Sequence, residues 1–238
     1  MSVKELPPEA QIKHDALSQA IRSATLGGRF SGHYGALELE DQRLKLVRRC
    51  HKKGEGDLVA ALSAASSTYY AAGGNAWAKR QFGRAAWRLA WARLYSNEMV
   101  RLAGGLDLLS ADQLEIRASI CRQWRDYRQA EECVVLALAR NGLPDNTRAL
   151  LLLQQAKIHE RNGREKDADM SFLQAINIAR IGNLSNLTKS RIMRAYGSWL
   201  ESNGYDAAAL VARKAAEDYA KETGLEDQLV KIQAERRI

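Results

Sequence analysis

Proline is almost missing from this chain of 238 residues. It occurs at Pro7, Pro8 and Pro144 alone, so nearly every helix interior is spared the residue that breaks it. The chain is rich instead in Ala, Leu, Arg, Glu and Gln, which lose little freedom in helices, and an all-α fold is predicted. Cysteine is equally scarce. Cys50, Cys121 and Cys133 are odd in number and show no CxxC spacing, which argues against a disulfide framework or a zinc knuckle and fits a reducing compartment. No run approaches the roughly 20 apolar residues that span a bilayer, and the opening MSVKELPPEAQIKHD lacks the apolar core of a signal peptide. A cytoplasmic location is expected.

Catalytic signatures are absent as well. The four histidines, His14, His33, His51 and His159, form no HExxH or paired metal spacing, and GGRFSGHYG at 27–35 lacks the Gly-Lys-Ser/Thr ending of a phosphate loop. Cys121 and His159 fall at equivalent positions in successive segments, but no third group is placed to orient them, and core packing is the expectation for both. No enzyme activity, cofactor or metal is predicted.

The most telling absence is of carboxylates. Between Leu58 and Asn97 there is no Asp or Glu, although Lys79, Arg80, Arg84, Arg88 and Arg93 occur there. Residues 1–41 carry a net charge of −2, residues 42–97 of +9 and residues 98–238 of +1, so the overall +8 comes from one region. A localised basic face is therefore predicted. Read as one helix from Ala76 onward, the segment puts Arg80, Arg84, Trp87, Arg88 and Trp91 on a common face opposite Ala78, Phe82, Ala85 and Leu89. A second basic run, with Arg48, Arg49, Lys52 and Lys53, ends the preceding helix, where the helix dipole favours cations.

Helix-length stretches alternate with Gly, Asn or Asp breaks. Helices are predicted at about 8–24, 36–53, 58–72 (ended by Gly73 and Gly74) and from Ala76 to Tyr95 or Ala103. Regular pairs follow at about 110–124 with 127–140, 147–161 with 165–181, and 188–202 with 206–222, and a last helix from Glu226 would cap the array. Fixed offsets recur within the pairs. Leu152, Ala156, His159, Gly163, Ala168, Phe172 and Ala175 follow a large-small-large, turn, small-aromatic-small order. Leu114, Ala118, Cys121, Tyr127, Ala130, Val134 and Ala137 repeat it, as do Met193, Gly197, Leu200, Gly204, Ala209 and Ala216. An earlier set reads Leu62, Ser66, Tyr69, Gly73, Ala78, Phe82 and Ala85. Small residues let paired helices approach closely while a large one fills the gap.

Over roughly residues 58–222 this pattern resembles the tetratricopeptide repeat family. The unit starts are 52, 38 and 41 residues apart, no Trp-x-x-Leu-Gly opening is present, and Arg213 stands at an apolar position. The resemblance implies a right-handed array of about 11 helices in antiparallel pairs. Residues 58–238 would form the repeat region, and residues 1–57 a cap or one more degenerate pair.

It further implies that the first helix of each pair lines a concave groove for a polypeptide. Repeat position assigns to that groove Asp112, Glu115, Ser119 and Arg122, then Leu153, Lys157 and Arg161, then Arg191, Arg194 and Ser198. The expected function is a non-catalytic scaffold with a protein or peptide partner and a basic face for an acidic one. An RNA-binding helical repeat is the alternative, since Arg and Trp can grip phosphates and stack on bases.

Overall fold

The computed structural model describes residues 5–26 and 32–222. Among the described residues there are ten α-helices and no strand. They are α1 (Pro8–Leu26), α2 (Gly32–His51), α3 (Leu58–Ala78), α4 (Phe82–Ala103), α5 (Ala111–Gln123), α6 (Tyr127–Leu138), α7 (Asp145–Arg161), α8 (Glu165–Ile181), α9 (Asn186–Ser202) and α10 (Asp206–Glu222). The eleventh helix expected from Glu226, and residues 27–31 of the glycine-rich stretch, lie outside the described residues. The chain forms two compact units, residues 1–108 and 109–238.

In the first unit α1 packs on α2, α2 on α3, and α3 most extensively on α4. The sequence-based boundary at 57/58 falls between α2 and α3. In the second unit α5 pairs with α6, α7 with α8 and α9 with α10, while α7 also lies beside both α5 and α9. Local sequence explains the helix starts: Asp57, Ser110, Asp126 and Ser185 accept from backbone N–H groups of the first turn. At Ser110 the reciprocal bond from the backbone N–H to Gln113 completes a capping box.

One turn closes four of the pairs. Lys79–Gln81, Trp124–Asp126, Asn162–Arg164 and Asn203–Tyr205 each separate two helices by three residues, with the middle residue in the left-handed region. That middle residue is Gly163 (φ 70°) and Gly204 (φ 80°) in the later turns, but Arg80 (φ 58°) and Arg125 (φ 60°) in the earlier ones. Glycine adopts this conformation without a Cβ penalty, and an arginine there is unexpected from sequence.

The predicted end of α3 at Gly73 and Gly74 is therefore corrected. Gly73 is buried inside α3, and a Cβ on it would meet Leu89 Cγ of α4 at 2.8 Å. Glycine here permits a close helix approach and ends nothing. Counting from the left-handed residue, the seventh before it is Gly73, Ala118, Ala156 or Gly197, and the ninth after it is Leu89, Val134, Phe172 or Arg213. All eight are buried. The earliest unit thus shifts by seven residues from its sequence alignment, from Gly73 to Arg80 as the turn position.

Arg213 takes the large position because Gly197 makes room. A Cβ at 197 would lie 3.0 Å from Arg213 Cγ, and the guanidinium reaches both carboxylate oxygens of Glu201. The side chain packs its stem and keeps its head paired.

Candidate binding surfaces

In the second unit the first helices of the three pairs are cross-linked by polar side chains. Thr147 of α7 donates to Asp112 of α5 at 2.7 Å, and Thr188 of α9 to Asn146 of α7 at 2.7 Å. Between them, Gln154 Nε2 donates to Glu115 Oε1 at 3.1 Å while Arg122 Nε donates to Gln154 Oε1 at 3.1 Å. Ser119 Oγ also donates to Glu115, at 3.1 Å.

The carboxyl group of Glu115 is enclosed although the residue as a whole is partly exposed. Burial raises its pKa above the ordinary carboxylate value, against the hydrogen bond from Ser119, the charge of Arg191, the hydrogen bond from Gln154 and the charge of Lys157. Three helices thus bring Glu115, Arg122, Lys157 and Arg191 into one polar strip. Arg194 and Ser198 of α9 are likewise partly exposed, with Ser198 Oγ donating to the Arg194 carbonyl, and Arg161 is exposed.

Leu153, expected on the same face, is buried in the core with Phe172 and Trp199. Ser119 is also buried. Sequence reasoning missed Gln154, the link between α5 and α7. Its one visible signal was an amide following the run Leu150–Leu153, at a helix position that turns out to be buried.

The basic and aromatic face expected in the first unit is rearranged. With the turn at 79–81, Trp77 and Arg80 do not belong to the helix of Trp87 and Trp91. Arg88, expected on the face of Arg84 and Trp87, is only 5% exposed and donates to the Ala72 carbonyl at 3.0 Å. Trp91 is partly buried between Trp87 and Tyr95, at centroid distances of 6.1 and 5.5 Å. Tyr69 and Tyr95 both donate to Asp41 Oδ1, at 2.9 and 3.4 Å, and burial pushes the Tyr95 hydroxyl up to about 12.

Arg48 pairs with Glu98 and lies over the Tyr95 ring, 5.9 Å from its centroid. Arg49, Lys52 and Lys53 are exposed at the end of α2. Arg80, Arg84 and Trp87 are exposed near the start of α4. Because α3 runs between these ends at 1.5 Å per residue, the two cationic groups sit about 30 Å apart along it.

Cys121 and His159 are buried, with Cys121 donating to Gln129 at 3.4 Å. Burial, reinforced by Cys121, pushes the Cys133 thiol up to about 12, which leaves it protonated at neutral pH. Among the described residues no group of three or more His, Cys, Asp and Glu could hold a metal ion, and no helix is long and apolar enough to cross a membrane. No protein-family model matches the chain, and neither a curated protein nor a solved structure matches it.

Proposed function

We propose that this chain is a non-catalytic interaction scaffold, a right-handed tetratricopeptide-like array whose α5, α7 and α9 present a concave groove to a polypeptide. The polar strip across these helices carries the reading. It spans three consecutive pairs, and its side chains are held by one another rather than by the core. Arg122, Lys157, Arg161, Arg191 and Arg194 outnumber Asp112 and Glu115, so the favoured ligand is an extended or helical segment rich in carboxylates.

The test is selection of displayed peptides on the purified full-length chain. Enrichment of Asp- and Glu-rich peptides is expected, with at least about a tenfold weaker Kd after Lys157→Glu, Arg161→Glu and Arg194→Glu together. Selected peptides that bind the triple variant undiminished would remove the groove assignment.

The RNA-binding alternative draws on the carboxylate-free segment and exposed Trp87, but its cations are divided between two ends of the first unit. Anisotropy with a single-stranded oligonucleotide decides it: phosphate binding weakens steeply with salt, and no binding at low salt removes that reading.

A further inference from the structure

The α3–α4 turn is the most unusual surface of the first unit. Trp77, the penultimate residue of α3, is 56% exposed, and Phe82, the first residue of α4, is 53% exposed. Their rings meet edge to face, 5.0 Å between centroids. The turn between them is Lys79-Arg80-Gln81, and Arg84 follows one residue after Gly83. Arg80 through Arg84 are all exposed. Two large apolar rings are thus presented at the end of a helical hairpin, next in sequence to Lys79, Arg80 and Arg84, in a 40-residue stretch without a carboxylate. Clustered exposed aromatics and arginines are the residue types enriched at interaction surfaces.

We propose that this hairpin end is an interfacial anchor for an anionic membrane surface. Trp and Phe favour the boundary between headgroups and acyl chains, and Lys79, Arg80 and Arg84 are placed to meet lipid phosphates around them. The charge is complementary to a negatively charged leaflet and to no cationic partner.

The geometry favours lipid over nucleic acid on two grounds. Trp77 and Phe82 pack against each other edge to face and form a compact apolar plug, whereas base stacking uses open ring faces. A nucleic-acid backbone also follows a track of cations. Here the midpoint of the α4 stripe, Arg88, is buried against Ala72, and the other exposed basic group, Arg49 with Lys52 and Lys53, lies at the far end of α3. Attachment through the hairpin end does not use the residues of the strip on α5, α7 and α9.

Co-sedimentation of the full chain with vesicles tests the anchor. Vesicles of phosphatidylcholine containing roughly a third phosphatidylserine are expected to bind the chain at low salt, and pure phosphatidylcholine vesicles are not. Trp77→Ala with Phe82→Ala should lower the partition coefficient by about tenfold. Arg80→Glu with Arg84→Glu should do so at least as strongly, each with an unchanged circular dichroism spectrum.

The proposal is overturned if phosphatidylserine vesicles do not bind the chain, or if both folded double variants still bind them. It is also overturned if the loss follows Arg49→Glu with Lys52→Glu instead. A fourth contrary outcome is a hairpin end that binds single-stranded oligouridine and not vesicles, which reassigns the surface to nucleic acid.

Discussion

Leu89 of α4 rests on the backbone of α3 at Gly73, where a β-carbon would intrude to 2.8 Å from Leu89 Cγ and 2.9 Å from Cδ2. The neighbouring Gly74 lies in the same helix with open space where its Cβ would be. Two adjacent glycines therefore respond oppositely to alanine. Gly74→Ala should stabilise the chain by about 0.5–1 kcal/mol through helix propensity. Gly73→Ala should destabilise it by about 1 kcal/mol, because the overpacking cost exceeds the same gain. Urea midpoints of the two variants check this, and equal shifts of the same sign would contradict the packing described.

Arg88 and Arg84 are one turn apart on α4, and sequence put them on one face. Arg88 is buried with a bond to the Ala72 carbonyl, while Arg84 is exposed. Arg88→Ala should cost about 2–3 kcal/mol through the lost packing of its buried stem and the lost guanidinium bond to the Ala72 carbonyl. Arg84→Ala should stay within about 0.5 kcal/mol of the parent. Thermal unfolding of the pair separates them, and a near-neutral Arg88→Ala would sink the buried placement.

Glu115 gives the polar strip a pH signature. Its folded-state pKa lies above the ordinary value because burial outweighs its hydrogen bonds and cationic neighbours. The folded chain therefore holds this proton more tightly than the unfolded chain, and the group's contribution to stability falls as pH rises from the ordinary carboxylate range through the raised value. Glu115→Gln removes that slope. Its stability relative to the parent should rise with pH across this window and level off above it. Denaturation curves over a pH series test the sign, and a variant whose stability relative to the parent falls with rising pH contradicts it.

Sequence periodicity located the described helices of the second unit to within two residues at most of their ends, because Gly163, Gly204 and Ser110 mark them by ordinary turn and capping chemistry. The first unit misled for a physical reason. Its left-handed turn position holds Arg80, which no propensity rule assigns there, while a glycine pair stands seven and six residues earlier, the first of the two, Gly73, for packing. That displacement carried Arg88 and Phe82 to the wrong faces. Repeat offsets put Glu115 and Lys157 on one face, and the charge of Lys157 does reach Glu115, but Gln154 was not legible, since its role depends on which α5 side chains lie opposite. The burial of Leu153 followed from the same blind spot.

The shared three-residue turn has a bearing on how the chain acquires its shape. In each of the four pairs a small residue and the large residue placed opposite it are separated by sixteen positions, from Gly73 to Leu89 and from Gly197 to Arg213. Closing so short a span costs little chain entropy, and distant segments need not meet first. Each hairpin can therefore zip shut on its own account, and in the second unit assembly reduces to joining three finished hairpins, in whatever order they finish.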